Sequence, residues 1–357
     1  MTTKRTAITC AILAAALYAI NLPLSKLLLT AVSPTMLAAL LYLGAGIGLY
    51  QFTGRKKVDN PLTRSELPYT VGMVVLDIAA PILLMFGLRH TGSANASLLN
   101  NFEIVATSLI ALLVFREVLS RRLWLAIVLV TLASILISFE GEGAFQFNWG
   151  SLLVLGAAVC WGFENNCTRM LSAKSSVQIT TIKGIFSGLG SLVIALCIGE
   201  AVPGILWIGA SLLLGFVAYG LSINFYIMAQ KELGAAKTSA YYAIAPFLGV
   251  ALSMLILGER PTRSFYLGFA IMAAATWLMV SDTISLQHTH LHTHVHTHAH
   301  SHGGVAHTHE HTHIHAHTHV HGENEGIHEH SHRALEGHDH THQENRSELL
   351  DDRDSLL

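Results

Sequence analysis

The chain has 357 residues, of which 52% are hydrophobic and only 12% are charged. Soluble domains carry about 25% charged residues, so this composition argues against a soluble enzyme or binding domain and is typical of a protein that crosses the membrane several times. The net charge of −2 says little about partners, because acidic and basic residues are segregated along the chain.

Ten apolar stretches are long enough to cross a bilayer, which takes roughly 20 residues of helix. In chain order they are 7–29, 34–52, 67–88, 93–115, 123–140, 149–171, 177–199, 204–229, 234–257 and 264–281. The N-terminal segment and the connecting segments on the same side of the membrane carry eleven lysines and arginines, and those on the opposite side carry three. Because cytoplasmic loops are the richer in Lys and Arg, we expect a multi-pass protein of the cell (inner) membrane with both termini in the cytoplasm.

Segments of the first half recur in the second half. The stretch TGSANASLLNNFEIVATSLIALLVFREVLSRR (91–122) aligns with LGAAKTSAYYAIAPFLGVALSMLILGERPTR (233–263) at an offset of 142. At an offset of 143, ALYAINLPLSK (16–26) aligns with VCWGFENNCTR (159–169). Two halves of five spans each, an odd number, must lie in the membrane with opposite orientations. Inverted repeats of this kind are typical of secondary transporters, whose substrate site lies near the midplane where the repeats meet.

Two further features accompany the repeats: the aromatic-small pairs Tyr18-Ala19 and Trp161-Gly162, and the phrases FREVLSRR and LGERPTR that end the fourth and ninth spans. With them the chain resembles the EamA-type branch of the drug/metabolite transporter superfamily. The resemblance implies a basket of helices around a central cavity, with the fifth and tenth helices at the periphery, that moves small metabolites. We therefore expect an all-α membrane protein of two inverted five-helix repeats and a tail, with bounds 5–140, 149–282 and 283–357.

Polar residues inside the spans are the candidate groups for solute binding and proton coupling, because they are costly in lipid. The acids Asp77, Glu103 and Glu164 lie deep in apolar stretches, where a carboxyl group can gain and lose a proton near neutral pH. The uncharged candidates are Asn21, Asn100, Asn165 and Tyr242. The structural alternative is that such groups only hydrogen-bond neighbouring helices. Lys183 is expected to snorkel from a helix end, and Lys237 is a candidate for attracting an anionic solute.

The tail holds 22 of the 23 histidines, many at alternate positions as in HTHLHTHVHTHAHSH (288–302). A low-complexity tail of this kind is expected to be disordered; in an extended strand its successive imidazoles would lie about 7 Å apart on one face. Imidazole ligands suit Zn, Ni, Co or Cu. The predicted metal ligands are His288, His290, His292, His294, His296, His298, His300, His302, His307, His309, His311, His313, His315, His317, His319 and His321. The alternative is a solvated tail with incidental metal affinity.

Two kinds of transporter agree with these patterns. One is a secondary exporter of a small organic solute, amino-acid or drug-like, whose tail senses or buffers metal. The other exports a divalent metal ion such as Zn, Ni or Co, with ligands from the acids and from Cys160 and Cys167, because the spans contain no histidine. A membrane metal sensor that transports nothing is a third reading.

The expected partners follow from these readings. We expect the lipid bilayer and a small-molecule solute as partners, and no nucleic acid. No cofactor and no enzymatic activity are expected. Coupling to protons is a candidate mechanism, and the oligomeric state is open between monomer and homodimer.

Overall fold

The computed structural model describes the backbone of residues 2–53, 62–115, 120–138, 148–171, 175–233, 238, 241–302 and 305–320. Its α-helices are α1 Thr2–Ala19, α2 Asn21–Leu28, α3 Pro34–Thr53, α4 Leu67–His90, α5 Ser93–Leu99, α6 Phe102–Phe115, α7 Arg121–Ser138, α8 Trp149–Met170, α9 Ser176–Ile182, α10 Gly188–Cys197, α11 Ile205–Gly215, α12 Ser222–Leu233, α13 Ala245–Leu257 and α14 Arg263–Leu286. A short 3₁₀ turn at Arg64–Glu66 precedes α4, and π-helical segments at Lys183–Ser187 and Phe216–Leu221 join α9 to α10 and α11 to α12.

Seven helical segments within these ranges are long and apolar enough to cross a membrane, so the chain is a multi-pass membrane protein. They are Arg5–Leu28, Arg64–His90, Ser93–Val114, Arg121–Ser138, Val177–Cys197, Ile205–Ala229 and Arg263–Ser281. The other predicted spans, 34–52, 149–171 and 234–257, contain α3, α8 and α13. The full count of ten spans stays a prediction.

Two spans are interrupted at corresponding positions of the two halves. The span made of α5 and α6 breaks into a turn at Asn100–Asn101, and a turn at Ala243–Ile244 comes immediately before α13. These turns are 143 residues apart, within one residue of the alignment predicted from the sequence. Broken helices free backbone groups for other partners, and in transporters they are found where the substrate binds.

Helices of the first half pack against helices of the second half. The contacting pairs include α1 with α12, α4 and α6 with α8, α5 with α13, and α7 with α14, and α3 packs on α10 and α11. The backbones of α3 and α11 lie in close contact. A Cβ added at Gly44 of α3 would lie 2.1 Å from the carbonyl oxygen of Leu212, and one added at Gly215 of α11 would lie 2.0 Å from the carbonyl oxygen of Leu41. Small residues at such crossings let helix backbones approach in a membrane, where no hydrophobic effect drives them together.

At the end of the bundle where α2 leads into α3, acids of the second half bind helix ends of the first half. The Glu200 carboxylate accepts hydrogen bonds from the first N–H groups of α3, at 2.7 and 3.2 Å. The Glu259 carboxylate accepts from the first two N–H groups of α5, at 2.7 and 2.9 Å. A negative charge at a helix N-terminus satisfies unpaired donors and offsets the helix dipole. These contacts therefore tie the two halves together.

The histidine-rich segment differs from the expected disorder. Strands β1 Gln287–His302 and β2 Val305–Val320 pair antiparallel, in a register that places His288 opposite His319 and continues to His300 opposite His307. The Thr and Val residues that alternate with histidine favour extended backbone, which is the physical reason for the strands. The expected disorder is thus not confirmed for 287–320, and 321–357 lie outside the described residues.

Candidate functional site

A cavity of about 480 Å³ lies where helices of the two halves meet. Its wall is formed by the turns at Asn100–Asn101 and Ala243–Ile244, by both π-helical segments, and by the middle of α3, α4 and α8. The residues that line it are Tyr18, Tyr42, Ala45, Asp77, Asn100, Asn101, Glu103, Ile104, Trp161, Glu164, Asn165, Thr180, Lys183, Gly184, Tyr219, Ile223, Tyr226, Tyr242, Ala243, Ala245 and Pro246. The volume suits a small organic molecule, since ligand pockets occupy about 300–1,000 Å³.

One lysine and two acids form an ion triad in this wall. The ammonium of Lys183 lies 2.8 Å from Oε1 of Glu164 and 3.4 Å from Oδ2 of Asp77. The hydroxyl of Tyr42 donates to Oδ1 of Asp77 at 3.1 Å, and that of Thr168 donates to Glu164. Both acid side chains are almost fully buried, at 1% and 2% exposure. Buried charges need partners of this kind, and here one cation serves two acids from different repeats.

The expectation that Lys183 snorkels to the membrane interface is wrong, because its ammonium points into the cavity. It begins the π-helical segment, and π-helical turns occur frequently at functional sites. The segment lies directly on α3: a Cβ at Gly184 would come within 2.5 Å of the Gly46 backbone. A sequence signal was available, since a charge inside an apolar span usually faces a cavity or a partner.

The third acid, Glu103, is not a member of the triad and has a different partner. Its Oε1 accepts a hydrogen bond of 2.6 Å from Nδ2 of Asn165, which also donates to the hydroxyl of Thr107 at 3.3 Å. Lys183 forms ion pairs with Asp77 and Glu164. Among the residues that the structure describes, no ion pair involves Glu103. Glu103 is therefore a hydrogen-bonded cavity carboxylate that forms no ion pair with the lysines and arginines whose side chains the structure describes.

Five tyrosines form a continuous aromatic cluster in the same wall. Tyr219 lies 5.9 Å from Tyr18 and 5.7 Å from Tyr42 between ring centroids, and Tyr242 lies 5.9 Å from Tyr18 and 5.2 Å from Tyr226. Sequence reasoning selected only Tyr242 as a site residue. The repeat offset of 142 could have found Tyr219, because it places that residue opposite the candidate acid Asp77.

The structure brings most of the candidate residues together. The cavity wall contains six of them, namely Asp77, Asn100, Glu103, Glu164, Asn165 and Tyr242. Asn21 lies behind the wall, where its Nδ2 donates to the hydroxyl of Tyr219 at 2.8 Å. Lys237 lies outside the described residues. The roles of these groups in binding and coupling stay predictions.

The candidate metal ligands fall in a different part of the chain. His288 to His302 lie in β1 and His307 to His319 in β2, while His321 lies outside the described residues. Among the residues whose side chains the structure describes, which do not include these histidines, no group of three or more His, Cys, Asp or Glu is arranged to hold a metal ion. In the cavity, the space between Asp77 and Glu164 is taken by the ammonium of Lys183.

Known proteins resemble the chain over its helical part. An uncharacterized transporter of Methanothermobacter thermautotrophicus is 27% identical over 269 residues, which cover 68% of this chain and 76% of the relative. The uncharacterized transporter YyaM of Bacillus subtilis is 22% identical over 237 residues, covering 64% and 77%. A crystal structure of a protein with 17% identity superimposes with a TM-score of 0.55 over 80% of this chain and 98% of the other. That likeness concerns the fold alone.

The EamA-like transporter family matches the chain twice, over residues 5–139 and 148–281. This agrees with the resemblance to the drug/metabolite transporter superfamily inferred from the repeats, and it indicates a transporter and not an enzyme. Both matches end before the histidine-rich strands begin. Because the two matches together cover well over half of the chain, the protein belongs to the EamA-like transporter family.

Proposed function

We propose that the protein is a secondary active transporter that exports a small organic solute, amino-acid or drug-like, through the cavity between its two repeats. The observation that carries this proposal is the composition of the cavity wall, which combines carboxylates from both repeats with two broken helices. Sites of this construction suit alternating access, in which one repeat moves against the other around a fixed binding site.

Proton coupling is the proposed source of energy. Asp77 belongs to the first repeat, whereas Glu164 and Lys183 belong to the second, so relative motion of the repeats changes the distances within the triad. When the ammonium moves away, a buried carboxylate must take up a proton or another cation, because an isolated charge is costly in a medium of low dielectric constant. Movement of the repeats and uptake of a proton are linked in this way.

The histidine-rich tail is proposed to regulate the transporter by binding Zn, Ni, Co or Cu. Imidazole binds metal only when it is neutral, so with an ordinary pKa of about 6.5 the tail holds metal at cytoplasmic pH and releases it on mild acidification. The register supports cooperation between the strands, since it sets His288 opposite His319 and repeats this pairing along the hairpin.

Export of a metal ion is the competing function. It would need metal ligands along the path, and Lys183 sits between the two acids that would have to supply them. Repulsion between an ammonium and a divalent cation opposes metal binding at this position.

The test compares the full chain with a chain that ends after residue 286, both in proteoliposomes. Each is assayed for exchange of a panel of organic solutes and for uptake of Zn, Ni and Co. We expect both proteins to exchange an organic solute, with a metal-dependent rate in the full chain only. Metal flux by the full chain without any organic flux would instead establish the metal exporter. If the full chain moves neither, the transport proposal is refuted; a metal sensor would be indicated if removal of the tail abolished the metal-dependent phenotype in cells.

A further inference from the structure

The wall of the cavity around Glu103 has a chemical character of its own. Glu103 lines the same cavity wall as Tyr18, Tyr219 and Tyr242, and the nearby Asn100 donates a hydrogen bond from Nδ2 to the hydroxyl of Tyr18 at 3.1 Å. These rings belong to the aromatic cluster already described and come from three separate parts of the chain. A carboxylate beside several aromatic rings favours a positive charge, because the carboxylate and the negative ring faces attract the same ion.

Two asparagines beside Glu103 carry polar atoms that have no partner within the described part of the chain. Oδ1 of Asn100 accepts no hydrogen bond from the described residues, and Nδ2 of Asn101 donates none to them. Both atoms are buried, and both residues line the cavity. The residues are only 9% and 7% exposed. Buried polar atoms are nearly always paired, so a bound molecule is the natural partner for these two. The two asparagines are adjacent at the break between α5 and α6, where the backbone N–H of Glu103 donates to the backbone carbonyl of Asn100 at 3.1 Å.

The ammonium of Lys183, the cation in the cavity wall, is already paired with two carboxylates. Lys183 contacts the carboxylates of both Asp77 and Glu164, which leaves it with more negative than positive charge around it. No other lysine or arginine is among the described residues that line the cavity. A carboxylate or phosphate on a solute would therefore have to displace one of the two acids from Lys183.

On these grounds we propose that Glu103, Asn100 and the ring of Tyr18, Tyr219 and Tyr242 form a subsite for the protonated amine of an organic solute. The solute is then a monocation whose ammonium group carries N–H donors, in preference to an anion or a zwitterion. This proposal rests on the proposed transport function and adds the substrate class to it.

Each part of the subsite contributes a separate selection. Glu103 selects for positive charge, since hydrogen bonds to a charged group are stronger than neutral ones. Asn100 selects for N–H donors, because a quaternary ammonium cannot satisfy its carbonyl oxygen. Asn101 offers a donor to a neutral acceptor, such as a hydroxyl group, elsewhere on the same solute.

The test measures binding by titration calorimetry of the full-length protein in detergent, with compounds that share one aromatic skeleton. Phenethylamine is the cation, phenethyl alcohol the neutral analogue, hydrocinnamate the anion and phenylalanine the zwitterion, while trimethylphenethylammonium lacks N–H donors. We expect phenethylamine to bind about 10- to 100-fold more tightly than the alcohol, which corresponds to one hydrogen bond to a charged group. Equal or tighter binding of hydrocinnamate or phenylalanine would overturn the proposal.

Variants of the same protein show whether the affinity depends on the charge of the ligand or only on its shape. Glu103→Gln should bind phenethylamine no better than phenethyl alcohol, while its affinity for the alcohol stays within about twofold of the parent. Asn100→Leu should lose the preference for phenethylamine over its trimethyl analogue. Glu232→Gln makes the same chemical change as Glu103→Gln at an exposed position of α12 and should leave every affinity unchanged. Retained amine selectivity in Glu103→Gln would refute the role of that carboxylate.

Counterflow of the same compounds in proteoliposomes separates failure of this inference from failure of the proposed function. Exchange of phenylalanine but not of phenethylamine would leave the organic-solute transporter standing and remove the amine subsite. Tight, Glu103-dependent binding of phenethylamine without exchange of any compound would support the subsite and refute transport.

Discussion

Replacing Lys183 by glutamine leaves Asp77 and Glu164 buried without the cation that they share. At an effective dielectric constant of about 20, the contacts of 2.8 and 3.4 Å correspond to about 6 and about 5 kcal/mol of attraction. Desolvation of the ammonium and repulsion between the two acids offset much of this. Removing one partner of a buried ion pair costs about 3–5 kcal/mol, and we expect Lys183→Gln to lower the free energy of unfolding by that amount.

The measurement is the unfolding free energy in mixed micelles, at about pH 8 and about pH 5. The loss should be smaller at the lower pH, because protons can then neutralise the carboxylates in place of the ammonium. Arg260→Gln removes a cation from an exposed position beyond α13 and should change the free energy by less than about 0.5 kcal/mol at either pH.

A rescue variant tests whether the loss arises from uncompensated charge. The triple change Lys183→Gln, Asp77→Asn and Glu164→Gln removes the cation and both anions together, so it should recover most of the stability lost by Lys183→Gln alone. The reasoning is refuted if Lys183→Gln is as stable as the parent protein, or if the triple variant is no more stable than the single one.

Three further outcomes are expected. Gly215→Ala should reduce thermal stability, because the added methyl group would meet the backbone of α3. Gly209→Ala in the same helix should be neutral or stabilising, because a methyl group at that position has no neighbouring atom within 4 Å. Glu259→Gln should cost about 1–3 kcal/mol of unfolding free energy, since it weakens two charge-assisted hydrogen bonds to α5; an unchanged value would mean that this contact contributes nothing. A reporter fused after residue 145 should be exposed outside the cell and one fused after residue 290 inside, and finding 290 outside would contradict the predicted topology.

Much of the fold could be predicted because its determinants are local in the sequence. A run of apolar residues suffices to specify a membrane helix, since the backbone must satisfy its own hydrogen bonds in lipid. The internal repeat is also visible as a pattern, and the turn at Asn100–Asn101 has its counterpart within one residue of the aligned position. The acids of the site were found for the same reason: a charge inside an apolar run is conspicuous whatever it contacts.

The partners of those acids could not be predicted, because they depend on how distant helices pack. Lys183 near a helix end can equally reach the lipid interface or the cavity, and only the packing of its π-helical segment on α3 decides between them. Most of the tyrosines gave little signal singly, since aromatic residues are common throughout membrane helices. Tyr18, Tyr42 and Tyr219 come together only where α1, α3 and the second π-helical segment meet.

The histidine-rich segment shows the same division. Alternation with Thr and Val determines which residues share a face of an extended strand, because side chains alternate with a period of two. The pairing of His288 with His319 depends instead on the register between two strands, which the repetitive composition leaves open: a shift by two residues would again set histidine opposite histidine. Sequence alone thus determined the spans, the repeat and the charged residues. Tertiary structure decided which charges neutralise each other, because the ion pairs of Lys183 with Asp77 and Glu164 form only when distant helices pack together.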